Sequence, residues 1–134
     1  MRIKLIAVFA FLACEIFAAP PASAPEPLKW DAESKECTPK PGESSVAFTF
    51  CATNTSSAEV SINTLRTSCG CTVAQLPVTP YKLGAGSNVT IRVDMDLNGK
   101  MGRVTKSVTV DSSAGIKSLL VSANISAATK TETK

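Results

Sequence analysis

Along most of this chain, apolar and polar residues change places every second position. Val46, Phe48 and Phe50 fall on one side of an extended segment, with Ala47, Thr49 and Cys51 on the other. Val89, Ile91, Val93 and Met95 alternate with Thr90, Arg92, Asp94 and Asp96. A period of two puts successive side chains on opposite faces of a strand, so each segment predicts a strand with one face buried. Val60, Ile62 and Leu65 predict another strand, Val104, Val108 and Val110 a further one, and Leu119, Val121, Ala123 and Ile125 the last. Turn-forming clusters separate them at Pro41-Gly42, Asn54-Thr55-Ser56-Ser57, Gly84-Ala85-Gly86, Asn98-Gly99-Lys100 and Ser112-Ser113-Ala114-Gly115. Short strands at this spacing, with no helical periodicity after the first residues, predict an all-β sandwich of about seven short antiparallel strands. Trp30 is expected to plug the edge or the core of that sandwich.

The N-terminus breaks the pattern. Arg2 and Lys4 precede an apolar run from Leu5 to Ala13, continued after Cys14 and Glu15 by Ile16 to Ala19. The run is shorter than the roughly 20 apolar residues needed to cross a bilayer. It reads as a signal peptide over residues 1–24, cut between positions 18 and 24, with a small-x-small site at Ala22-Ser23-Ala24. Phe11-Leu12-Ala13-Cys14 loosely resembles a lipoprotein box, which makes Cys14 a lipidation candidate and the only expected route to a membrane. The folded domain is expected over 25–126, followed by a flexible polar tail over 127–134. These features place the protein in the periplasm or outside the cell.

Composition narrows the chemistry. The 134 residues carry a formal net charge of +3, spread without a basic block, so nucleic acid is not an expected partner. The chain has no histidine, which removes Ser-His-Asp and Cys-His catalysis. No phosphate-binding glycine loop is present. Asp94 and Asp96 share a strand face but read as solvated, and Lys100, Arg103 and Lys106 as a solubilising cluster. No catalytic residue is expected.

The cysteines carry the remaining chemistry. In an oxidising compartment, the four that follow the signal allow three full pairings. Cys37 and Cys51 flank the Pro39-Lys40-Pro41-Gly42 turn, so their strands are expected to lie side by side and to be stapled on the outer face. Cys69-Gly70-Cys71 admits three readings. In the first it is a tight structural turn in which Gly70 supplies a conformation other residues reach only at a cost. In the second it closes a short-loop disulfide able to exchange with thiols. In the third its two thiolates bind Cu(I), with Met95 or Met101 as further ligands. No cofactor is expected unless the copper reading holds.

One further resemblance rests on the order of these features. An Asn54 turn follows a Phe-x-Phe strand, then come Ser68-Cys69-Gly70-Cys71-Thr72, Leu83-Gly84-Ala85-Gly86-Ser87 before an alternating strand, and Gly99-Lys100-x-Gly102. Over residues 28–125 the chain resembles the bacterial domain of unknown function family 1573. That resemblance implies an exported or lipid-anchored, immunoglobulin-like domain and supplies no reaction. Cys37 and Cys51 lie outside the shared pattern. The functional expectation is a non-enzymatic envelope module that binds another envelope protein or supports an assembly; the alternative is a Cu(I)-binding or thiol-redox protein using Cys69 and Cys71.

Overall fold

Phe48, Phe50 and Ala52 point inward from one strand and meet inward residues of another sheet, and this sets the architecture. The computed structural model describes residues 26–126. The signal segment, its cleavage site, Cys14 and the 127–134 tail lie outside them. The described residues form nine strands and no helix: β1 (Leu28–Trp30), β2 (Ser34–Cys37), β3 (Ser45–Asn54), β4 (Val60–Thr67), β5 (Thr72–Gln75), β6 (Tyr81–Leu83), β7 (Asn88–Asp96), β8 (Gly102–Ser112) and β9 (Gly115–Ile125). One sheet runs β1-β3-β7-β5 and the other β2-β9-β8-β4-β6. The expected all-β immunoglobulin-like sandwich is the fold.

Two details differ from the sequence reading. There are nine strands rather than about seven, because β1, β2, β5 and β6 are only three or four residues long. A segment that short holds too few alternations to carry a period. The second difference is that β2 pairs parallel with β9, with Ser34 opposite Leu120 and Cys37 opposite Ala123. All other ladders are antiparallel.

The core interleaves both sheets. Phe50, Ile91, Val93 and Met95 from the first meet Ile62, Val108, Val110, Leu119 and Val121 from the second, all fully buried. Burying a side chain of this size stabilises by about 1.5–3 kcal/mol. In β4 the alternation slips between Ile62 and Thr64, where the register against β8 shifts. Such a bulge inserts one residue, which is why Leu65 rather than Thr64 continues the apolar series. Trp30 sits on β1 opposite Ala52 and packs half-buried against the core.

The parity of β3 reaches to its last residue and buries Asn54 completely. A buried amide needs partners for all its polar atoms. Asn54 Nδ2 donates to the carbonyls of Ala58 (2.7 Å) and Leu83 (2.9 Å), while its Oδ1 accepts from the Ser56 amide (3.0 Å) and hydroxyl (2.7 Å). The backbone of Asn54 is tied to Ser87 and Gly86. One side chain thereby joins β3, the loop before β4, and the end of β6.

Candidate functional site

The Ser68–Thr72 segment is where the chain passes from one sheet to the other. At the end of β4, the Ser68 amide donates to the Ser107 carbonyl (3.0 Å) and the Ser107 amide donates back to Ser68 Oγ (3.2 Å). Thr67 Oγ1 donates to the Cys69 carbonyl (3.0 Å), which also accepts the Thr72 amide (3.3 Å). The Asp96 amide then donates to the Cys71 carbonyl (2.8 Å), attaching the far side of the turn to β7. The motif is a corner bonded to β8 on one side and β7 on the other.

Within that corner Cys69 and Cys71 form a disulfide, with their Cα atoms 5.4 Å apart, inside the range that bridged cysteines adopt. Both residues are half-buried. The buried Thr72 hydroxyl lies 3.9 Å from each sulfur. Joined in this way the sulfurs have no thiolate to offer, and nucleophilic or metal chemistry requires prior reduction by two electrons. Met95 faces Thr72 across the β5–β7 ladder but is fully buried, and Met101 is exposed in the turn before β8. No group of three His, Cys, Asp or Glu residues among the described residues is placed to hold a metal ion.

Two expectations about the cysteines need correction. Cys37 and Cys51 are free thiols. They belong to different sheets: Cys37 lies opposite Ala123 on β9 and Cys51 opposite Thr90 on β7. The proline-rich connection between them crosses the sandwich instead of making a hairpin, so the outer-face staple does not form. Burial raises the pKa of the Cys37 thiol above its ordinary value, and the nearby Glu43 and Glu36 add to the shift. Gly70 is the second correction, since it lies outside the left-handed region and an added Cβ would meet open space. The corner does not depend on a glycine-only conformation.

The other residues singled out in the sequence are engaged locally. Arg92 grips Asp94 through Nε (3.0 Å) and Nη2 (2.9 Å), which raises the Arg92 pKa further. Asp96 instead accepts from the Asn98 amide (2.9 Å) and side chain (2.7 Å), and the amide bond does most to hold its carboxyl below the usual range. The two carboxylates therefore serve separate partners. Arg103 pairs with Glu36 on β2 at 2.9 Å.

Sequence reasoning missed two polar assemblies. One is the Asn54 knot; an asparagine continuing the inward parity of Phe48, Phe50 and Ala52 is the signal that could have found it. The other lies where β1 ends. Asp31 Oδ1 accepts from the Cys51 amide (2.9 Å), and the Asp31 amide donates to the Cys51 carbonyl (3.0 Å). Lys35 Nζ bonds Asp31 Oδ2 at 2.6 Å, donates to the Thr49 carbonyl, and lies 5.1 Å from the Phe50 ring centre. Desolvation works to raise the Asp31 carboxyl, but the bonds from Lys35, Cys51 and Ala32 outweigh it and leave its pKa lowered. Only the exposed spacing of Asp31 and Lys35 was visible in the sequence, and it does not distinguish a plug from an ordinary surface pair.

A family model described as "Protein of unknown function (DUF1573)" matches residues 28–125. No curated protein matches. Among solved structures, a protein of unknown function from Porphyromonas gingivalis W83 superposes with a TM-score of 0.63 at 10% identity, over 72% of this chain and 46% of that one. The chain thus spans about half the length of that protein. The ASH/PapD-like domain 7 of human CEP192 superposes with a TM-score of 0.62 at 11% identity, over 93% of this chain and 99% of the domain. Vibrio cholerae VesB protease superposes with a TM-score of 0.51 at 14% identity, over 75% of this chain but 32% of the protease. Likeness at these identities establishes the sandwich fold and leaves function to the surface.

Proposed function

The chain belongs to the DUF1573 family, and from that premise we propose that it is a non-enzymatic, immunoglobulin-like module of the bacterial envelope that binds another envelope protein or supports an assembly there. One observation carries the reading: the chemistry-bearing groups that the sequence singles out in and around the Cys-Gly-Cys corner are spent on holding the fold, and the two free thiols, Cys37 and Cys51, stand on different sheets with no histidine in the chain to activate them. Cys69 and Cys71 are joined, Asp94 is held by Arg92, Asp96 caps its own turn, and Asp31 with Lys35 closes the end of a strand. A rigid sandwich with its reactive groups so committed suits recognition better than turnover. The basic and apolar start of the sequence supports export to the periplasm or beyond, with lipid on Cys14 as the only route to a membrane.

The test is capture of partners from envelope extracts with the exported domain as bait, beside a Cys69→Ser/Cys71→Ser variant. A specific envelope protein retained by both baits is the expected result. Recovery of no specific partner, together with a metal-binding or redox activity that the variant lacks, overturns the proposal.

A second reading keeps Cys69 and Cys71 as a Cu(I) or thiol-exchange site. It is favoured by the placing of both sulfurs on one half-buried turn beside the Thr72 hydroxyl. Titration of the reduced protein with Cu(I) decides it: stoichiometric binding that requires both sulfurs supports it, and equal binding by the double serine variant removes it.

A further inference from the structure

Four polar residues are buried among the described residues: Asn54, Thr72, Ser112 and Ser122. Three of them have oxygen partners at ordinary distances. Asn54 bonds two carbonyls, Ser112 Oγ donates to the Gly115 carbonyl (2.8 Å), and Ser122 Oγ meets Thr105 Oγ1 at 2.9 Å. Thr72 is the exception. It is 2% exposed, and among the described residues its hydroxyl reaches only the sulfurs of Cys69 and Cys71, each 3.9 Å away. Such a sulfur is a weak acceptor, so this buried hydroxyl is poorly served while the disulfide stays closed. A thiolate at either position would be a strong acceptor for it.

The corner is also open from outside. Gly70, exposed between the two cysteines, lies outside the left-handed region, and an added Cβ would meet nothing within 4 Å. The fold therefore does not need a glycine there, and the space its missing side chain leaves is solvent beside the disulfide. From Thr67 to Tyr81 no residue is charged, and Val73 and Val78 stand exposed along that run. Depletion of charge marks the centre of a protein–protein contact.

Joined, the two sulfurs are spent as nucleophiles, but they remain an electrophile that needs no prior reduction. We propose that the Cys69–Cys71 disulfide captures a cysteine of the bound envelope protein by thiol–disulfide exchange, with the Thr72 hydroxyl receiving the charge of the sulfur that leaves. This rests on the reading of the domain as an envelope-protein binder and names the class of partner: a chain with a free cysteine among uncharged residues. The partner's thiolate attacks one sulfur, a new disulfide bond forms as the Cys69–Cys71 bond breaks, and the bonding pair leaves on the other sulfur. That thiolate accepts from Thr72 Oγ1 and then takes a proton from water. One sulfur of the partner is oxidised and one of this chain is reduced, by one electron each, so no further oxidant enters. Thr72 Oγ1 is equally far from both sulfurs and serves whichever leaves. A leaving thiol of lowered pKa departs faster, so the hydroxyl acts on the rate of capture.

The first experiment mixes the exported protein, its disulfide intact, with mercaptoethanol or with a short uncharged peptide carrying one cysteine. Acid quenching and intact mass follow the mixed disulfide with time. Thr72→Val keeps the shape of the side chain and should slow exchange with both thiols about fivefold, while Thr72→Ser should restore it. Gly70→Leu should slow the peptide and leave mercaptoethanol unchanged. All three variants should keep the circular dichroism and Tm of the wild type; if Thr72→Val does not fold, the Gly70→Leu contrast decides. Exchange indifferent to both substitutions, or seen only on unfolding, overturns the proposal. Glutathione, a charged small thiol, reacting as fast as the peptide also overturns it and gives the site to small thiols. In acid-quenched envelope extracts the wild-type bait should carry an adduct that survives denaturation, is released by reductant, and is missing from Cys69→Ser/Cys71→Ser. A partner retained by both baits without that adduct overturns the proposal and leaves the binding reading standing. No partner on either bait overturns both.

Discussion

The two ends of β3 are built from the same alternation and finished in opposite ways. At Ala52–Asn54 every direction is filled: β1 on one side, β7 on the other, and the buried Asn54 amide bonded to the neighbouring loops. At Ser45–Thr49 no second strand arrives on that side, and Lys35, bonded to Asp31 and to the Thr49 carbonyl, stands between the two conditions. Residue type alone does not make the difference, since both halves are strand-forming. What differs is whether a neighbouring segment arrives to use the backbone groups.

That contrast can be tested from the shared middle of the strand outward. Phe50→Ala removes the ring on which both halves rest, and by the cost of emptying a core aromatic it should lower stability by about 4 kcal/mol in urea unfolding. Asn54→Ala should cost about 3 kcal/mol, because the carbonyls of Ala58 and Leu83 are left without their donor. If that variant unfolds like the wild type, the sealed end is not sealed by the amide. Opening the second closed corner, with Cys69→Ser/Cys71→Ser, should cost less, about 1.5 kcal/mol, because a loop of about three residues restricts the unfolded chain little.

The plug predicts a pH effect. A lowered pKa for Asp31 means that its carboxylate favours the folded state above the unfolded value of about 3.9, and this contribution fades as the pH falls through the folded value. Unfolding curves between about pH 5 and pH 2 should therefore fall more steeply for wild type than for Asp31→Asn. A parallel decline would mean that the plug is electrostatically idle. Smallest of all, Ala47→Lys should leave monomer stability within about 0.5 kcal/mol, since the side chain is already in solvent.

The long elements were legible because they are long. Nine to eleven residues of alternation in β3, β7, β8 and β9 allow only one reading of which face is buried. The four short strands hold too little pattern, and their places are set by the ladders they join. The cysteine pairs divide in the same way. Cys69 and Cys71 are close because two residues cannot be far apart when one separates them. For Cys37 and Cys51, the Pro-Gly signal fits a hairpin as well as a crossing, and nothing local records that the connection passes to the opposite sheet. The Asn54 turn is plain in the sequence, while the parity of Asn54, which places it inside, carries the greater information.

The parallel pairing of β2 with β9 has a consequence for the order in which the chain can fold. Ser34–Cys37 are among the first described residues, and their partners Leu120–Ala123 are among the last. Lys117 on β9 also reaches back to Glu26 and Glu33. The second sheet therefore cannot close while its final strand is still inside the ribosome. A sheet closed by such distant contacts forms late, so the edges of β2 and β8 that face β9 stay open to whatever machinery handles the chain until Leu120–Ala123 have emerged.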